Sequence, residues 1–389
     1  MSMENRTVGE CFHQIRNGAN IKQGLANGGF PITRIETTAN DTFNRDRMGY
    51  AGITDIGRYE GFILEDGDLL MSHINSVQYL GRTVLYKKQP GEVIIHGMNL
   101  LGLKANRNII LPEYARYCFY APGFREQLAM ITKKSVNQAS FTVSDLKKIV
   151  IKVPSLNEQR RTVVILDKTK ELLGYRRDEL QKLDELIKAR FVEMFGDISE
   201  YCNVGYYIKA LVAGKSLAGE EVCENKVLKT GAASFDYFDA TQVKNLPLDY
   251  VPQQEHLVKA GDIIISRMNT AELTGAAAYV WDVPDKVYLP DRLWKAVLQD
   301  DCNPIFVWQM LIQPSTKEQI RRECSGTSGS MKNISKPGML AIKVKKVPIA
   351  MQDQFADFVV QVDKSKVVIQ KALDEAQILF DSLMQQYFG

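Results

Sequence analysis

The sequence predicts an α+β protein made as a pseudo-twofold internal repeat: two mostly β modules, each followed by a long helix, with the two helices packed together. Three observations carry this. A stretch from Val153 to Gly196 occurs twice. The first copy opens Val153-Pro154, has Glu158-Gln159 before a long helical pattern and ends Met194-Phe195-Gly196; the second opens Val347-Pro348, has Asp353-Gln354 at the matching place and ends Tyr387-Phe388-Gly389. The offset is 194 residues at Val-Pro, 195 at the acid-Gln pair and 193 at Phe-Gly, so two small gaps join the copies. Both copies carry apolar residues alternately three and four apart, and the sequence outside them is short β-type runs broken by Gly, Asn and Pro.

The first module, residues 1–152, shows its β-type runs at Phe30-Pro31-Ile32, Gly61 to Leu64, Asp68 to Ser72, Thr83 to Tyr86 and Val93 to Ile95. Strands so short and turn-rich indicate an irregular β fold. A helix is expected from Pro112, since proline suits the first helical turn, carrying Tyr114, Tyr117, Phe119 and Tyr120 toward Leu128. The polar, basic segment Thr132–Ser140 follows, then a strand from Leu146 to Val153. The central repeat helix, residues 153–196, has Leu166, Leu173, Leu180, Ile187 and Met194 at its a-type heptad positions. At the d-type positions Leu183 is apolar, while Thr169, Arg176 and Arg190 are polar.

The second module, residues 197–346, keeps the order and changes the sequence. Gly261 to Ser266 matches Gly67 to Ser72 at an offset of 194, Asn269 falls on Asn75, Pro304 opens the equivalent helix to Pro112, and Ser325–Asn333 takes the place of the Lys133 loop. The C-terminal repeat helix, residues 347–389, alternates spacings of four and three through Phe355, Val359, Val362, Lys366, Ile369, Leu373, Ala376, Phe380, Leu383 and Tyr387. Lys366 is its only strongly polar seam member. Each buried Leu, Ile or Phe contributes roughly 1.5–3 kcal/mol, so a dozen facing one another offset the ordering entropy of both helices. A helix lying on some globular core is the alternative.

A chain of 389 residues is too long for one core, and residues 1–196 and 197–389 make halves of 196 and 193. Hydrophobic content of 45% and charged content of 24% are those of an ordinary soluble globular protein. A net charge of +3 permits nucleic-acid binding through local patches without arguing for it. Six scattered cysteines with no C-x-x-C read as reduced thiols, and four histidines far apart give no metal-binding spacing. With no run of 18 apolar residues and no signal-peptide core, the expected location is cytoplasmic.

No active site emerges. Asn303-Pro304-Ile305-Phe306 is close to the Asn-Pro-Pro-aromatic motif of amino-methyltransferases, yet Leu111-Pro112-Glu113-Tyr114 holds the same place without the Asn, and no Gly-rich cofactor loop precedes either. Pro284-Asp285 is followed by no Asp/Glu-x-Lys in its half, and there is neither a Walker loop nor G-x-S-x-G. No catalytic residue and no metal ligand is therefore expected. The remaining candidates are contact residues: Arg45 and Arg47; Lys133, Lys134, Asn137 and Gln138 in one loop; Arg321, Arg322, Lys332 and Asn333 flanking its counterpart; and His73 with Asn75, opposite Arg267 with Asn269. Arg, Asn and Gln read guanine and adenine edges bidentately, and Lys mostly meets phosphate. A solvated surface charge, or a turn in the case of the shared Asn, explains each singly.

With two divergent modules, each followed by a long helix that opens on Pro and an acid-Gln pair and closes on Phe-Gly, the chain resembles the specificity (S) subunit of type I restriction-modification systems. The most telling pieces are Val153-Pro154-Ser155-Leu156-Asn157-Glu158-Gln159 with its helix, Gly67-Asp68-Leu69-Leu70-Met71-Ser72, and their second-half partners. The resemblance implies that each module is a target recognition domain reading one half of a split double-stranded DNA sequence. It implies that the helices form an antiparallel coiled coil holding the modules apart. Two methyltransferase (modification) subunits would bind this frame and supply S-adenosylmethionine chemistry, restriction subunits would add ATP- and magnesium-dependent cleavage, and the chain itself would catalyse nothing and bind no cofactor. The alternative is a coiled-coil scaffold presenting two protein-binding β modules, which a steep salt dependence of DNA binding would exclude.

Overall fold

The structure, a computed structural model, describes residues 4–24, 28–136, 138–326 and 331–389. It divides into two compact units: Met1–Arg177 with Lys371–Gly389, and Asp178–Gln370. The division runs through both long helices, Leu156–Phe195 and Ile349–Phe388, so each unit holds one module, part of the central helix and part of the C-terminal one.

The two modules share one sheet. In the first unit the strands Phe12–Asn17, Leu100–Ala105, Leu69–Ser72 and Thr83–Leu85 lie side by side in that order, all antiparallel. In the second, Ile208–Val212, Leu293–Leu298, Ile263–Ser266 and Ala277–Tyr279 repeat the order and the sense. Even the irregularity recurs, a register shift at Phe12/Gln14 and at Ile208/Ala210. Leu69–Ser72 and Ile263–Ser266 are buried at every position, which is why they read as unbroken apolar runs and not as alternation. Gly67 and Gly261 precede them with φ of 89° and 93°, a left-handed conformation that favours glycine. The next residue closes that turn: Asp68 accepts from the Glu65 amide at 2.9 Å, and Asp262 from the Lys259 amide at 2.8 Å.

Two expected strands are cut back: Gly61 and Phe62 end a 3-10 helix, Gly57–Phe62, with an isolated bridge at Ile63, and Leu146 ends the short helix Val143–Leu146, so the strand there is only Val150–Val153. Three further expectations change. The helix from Pro112 is two helices, Pro112–Cys118 and Pro122–Ile131, because Pro122 cannot continue the first and opens the second. Val93–Ile95 forms only two isolated bridges, from Ile95 to Ile32 and to Ile63, and the strand in that region is Leu100–Ala105. The third concerns the repeat itself. Gln159 is fully buried, accepts from the Leu111 amide at 2.8 Å and donates to the carbonyls of Ile109 at 2.8 Å and Pro154 at 2.9 Å. The residue that does the same in the second unit is Gln352, accepting from the Asn303 amide at 3.0 Å and donating to the Val347 carbonyl at 2.8 Å. Gln354, matched to Gln159 by sequence, is exposed. Glu158 instead forms a capping box with Ser155, whose hydroxyl and amide reach it at 2.8 and 3.1 Å.

Each long helix opens on one module and closes on the other. In the first unit Gln159 clamps the opening of the central helix, while Phe388 at the close of the C-terminal helix packs 5.1 Å from Tyr114. In the second unit Phe195 closes the central helix 5.3 Å from Phe306, beside the opening clamped by Gln352. Lysines from the strands that feed the helices cap these ends. Lys345 donates to the carbonyls of Phe195 at 2.7 Å and Ile198 at 3.0 Å, and Lys152 donates to that of Gly389.

None of the heptad residues is exposed. Leu166, Leu173, Ile187, Phe355, Val359 and Val362 are buried, and Leu180, Leu183, Met194, Ile369, Leu373, Phe380 and Leu383 are half-buried. The polar seam residue Lys366 is matched by Asp184, 2.6 Å away on the other helix.

Candidate nucleic-acid interface

Beyond the buried central strand the chain turns outward at Ser72 and Ser266. In the first unit Ile74–Asn75 pairs with Ala139–Ser140, which pairs in turn with Lys133–Lys134. In the second, Met268–Asn269 pairs with Lys332–Asn333. Residues some sixty positions apart are thus brought to one rim of each sheet: His73 and Asn75 with Lys133, Lys134 and Gln138, and Arg267 and Asn269 with Lys332 and Asn333.

Their exposure differs. Lys133, Lys134 and Gln138 stand in solvent, Gln138 accepting at its carbonyl from the Ser135 amide at 2.7 Å. Asn137 lies outside the described residues. Asn75 is half-buried and its side chain accepts from the Ser76 amide at 2.8 Å, which is the turn reading. His73 is 6% exposed beside Phe141, its Nδ1 has no partner, and burial pushes its pKa down, so at neutral pH it is an uncharged core residue. Arg267 is half-buried, lies over Trp294 at 5.7 Å and donates to the Asp291 carbonyl at 3.4 Å, while its buried Nε has no partner among the described residues. Asn269 faces inward to Ser234 at 3.1 Å. Lys332 donates to the Gly326 carbonyl at 2.6 Å, and Asn333 exchanges backbone bonds with Ser325.

Arg321 and Arg322 are exposed on the last turn of Pro314–Glu323, which leads into Ser325, and Arg322 pairs with Glu318. Arg47 is exposed on the first module. Arg45 is engaged within its own module. It binds Glu92 at 2.6 Å and the Lys87 carbonyl at 2.8 Å, stacks on Phe43 and Tyr86, and holds the Glu92 carboxyl down at about 2.

Sequence reasoning missed a matched pair at the same rim. The register Ser72↔Leu100 and Ser266↔Leu293 sets Asn99 and Arg292, both exposed, beside the outward turn. The Arg267 amide bonds the Arg292 carbonyl at 3.1 Å. The signal was available in the repeat, since both stand directly before an apolar strand at an offset of 193. The rim therefore presents Lys133, Lys134, Gln138 and Asn99 in the first module and Arg292 with half-buried Arg267 and Lys332 in the second, side chains suited to phosphate and base edges. Among the described residues no group of His, Cys, Asp and Glu is placed to hold a metal, and no helix is long and apolar enough to cross a membrane.

Residues 2–184 match the family described as Type I restriction modification DNA specificity domain. Over 195 residues the chain is 34% identical to the sequence assigned as the type I restriction enzyme MjaX specificity subunit of Methanocaldococcus jannaschii, covering 49% of this chain and 45% of that one. It is 25% identical over 165 residues to the type I restriction enzyme EcoKI specificity subunit of Escherichia coli, covering 42% and 34%. The chain thus spans less than half the length of these curated relatives. In fold the likeness covers the whole chain: the S subunit of a type I restriction-modification system from M. genitalium superposes with a TM-score of 0.57 at 16% identity, over 100% of this chain and 96% of that one.

Proposed function

We propose, from the match of residues 2–184 to the family described as Type I restriction modification DNA specificity domain, that the chain is a specificity subunit reading a split DNA target, one half per module. The observation that carries this is the duplicated rim: one sheet order and one outward turn, used twice, each displaying different polar side chains. The two long helices form an antiparallel coiled coil that spaces the readers. Supporting this, each helix opens on a glutamine clamp to one module and closes with a phenylalanine on the other. Helices of 40 residues are about 60 Å long, on the order of 15–18 base pairs.

Methyltransferase subunits bind the outer helix faces, and restriction subunits join them. Exposed Val164, Ile165, Leu172 and Tyr175 in the first unit and Val367 and Val368 in the second are apolar surface of the kind that marks an interface. S-adenosylmethionine, ATP and magnesium act on those partners, and this chain catalyses nothing. In keeping with that, the Asn303 side chain caps its own helix, accepting from the Ile305 amide at 3.0 Å, and donates to Asp353 at 2.9 Å.

The test is DNA binding by the chain with its methyltransferase partner across a salt series. The reading predicts affinity for one bipartite sequence above all others, falling steeply with salt through its phosphate contacts. Binding indifferent to sequence and salt would favour a protein scaffold.

A further inference from the structure

The first unit contains a cavity of about 520 Å³ that neither the DNA rim nor the outer helix faces use. Its inner wall is buried Tyr117, Leu173 and Met384 with half-buried Phe380, while Lys170 and Arg177 are exposed at its edge. That volume is within the usual range for organic ligands. The other charges at the cavity are engaged. Arg116 pairs with Asp167 at 3.2 Å and lies over the Tyr117 ring at 4.9 Å. Asp41 receives Arg82 at 3.0 Å and the Tyr120 hydroxyl at 2.9 Å, and Asp381 accepts from Gln377 at 3.0 Å. Among the described residues Lys170 and Arg177 have no hydrogen bond or ion pair. Surrounding protein, and next the Arg116 charge, push the Lys170 pKa below its ordinary value, which an incoming anion would relieve.

The repeat places different side chains at the corresponding positions of the second unit. At an offset of 193, Leu173 corresponds to Lys366 and Gln377 to Asp184, and in the second unit those two bridge the helices at 2.6 Å. Arg116 corresponds, at an offset of 192, to Trp308, which packs on Tyr279 at 5.9 Å. The second unit thus carries an ion pair and an indole where the first has residues that line the cavity.

We propose that this cavity binds a small organic anion with a planar apolar body. A single sulfonate, carboxylate or phosphate head lies between Lys170 and Arg177, and the rings lie against Tyr117, Phe380 and Met384. The experiment is fluorescence titration of the full chain with 8-anilinonaphthalene-1-sulfonate. One saturable site is expected, weakened at least tenfold by Lys170→Glu or Arg177→Glu and abolished by Leu173→Lys combined with Gln377→Asp, which places the Lys366–Asp184 pair of the second unit across the cavity. The DNA sequence recognised stays unchanged in all three. The charge reversals alter exposed side chains and decide the matter even where the double variant fails to fold. Absence of a saturable site, or one indifferent to the charge reversals, overturns the proposal. So does a site that the methyltransferase subunit alone blocks, which would assign the cavity to a side chain of that partner.

Discussion

At the joint between module and helices, the second unit gathers four rings. Phe191, Phe195, Phe306 and Phe355 lie with centroids 4.8 to 6.0 Å apart. In the first unit the corresponding residues are Met384, Phe388, Tyr114 and Thr162, with one ring contact at 5.1 Å. The polar parts of the joint have not diverged in this way: Gln159 and Gln352 clamp the helix openings, and Lys152 and Lys345 cap the closings. A buried amide bonded to main chain tolerates no substitute, because each lost bond leaves a buried backbone group unpaired. Apolar filling is constrained only in volume, so the two joints are filled by different side chains.

Seven substitutions in four groups would break or sharpen that contrast, each read by urea denaturation of the full chain. Phe195→Ala is expected to cost about 3–5 kcal/mol, and Phe388→Ala less, since Phe388 is 8% exposed and has a single ring neighbour; equal losses would mean that the joints are packed alike. Gln159→Leu and Gln352→Leu should each cost about 1–3 kcal/mol per backbone group left unpaired, whereas Gln354→Leu, at an exposed position, stays within about 0.5 kcal/mol. A larger loss at Gln354 would restore the sequence alignment over the structural one. Asp184→Ala should cost only about 0–1 kcal/mol, because its side chain is 52% exposed. A separate effect is the pH dependence that Glu92 gives the first module. Arg45 first, with hydrogen bonds from Gln89 and Tyr86, lowers Glu92 from 4.5 to about 2. A depressed carboxylate stabilises fully above its unfolded value, so this contribution is present above pH 4.5 and lost as pH falls toward 2. Glu92→Gln should flatten the stability profile across that window.

The repeat and the heptad seam were legible because both are periodic, and periodicity survives without knowledge of contacts. Lys366 stood out as the polar seam residue, but its partner Asp184 lies 182 residues away and only the fold joins them. The acid-Gln pair misled because Asp353-Gln354 looks like Glu158-Gln159, while the amide that reaches the module is Gln352. The strand Leu100–Ala105 was hidden by Gly102, which breaks the apolar run; a Cβ there would meet the His96 ring at 2.7 Å, a crowding invisible in sequence. Arg45 looked like a reader for a similar reason, its partner Glu92 being 47 residues away. Asn99 and Arg292 went unnoticed because exposed residues in loops carry no periodic signal.

The most direct measurement is methylome sequencing of cells that express this chain with a methyltransferase partner, before and after residues 197–346 are replaced by another module. Two independent readers predict a bipartite methylated motif in which one half changes on the swap while the other half and the spacer stay as they were. A motif that changes in both halves, or methylation that does not depend on this chain at all, would contradict the account.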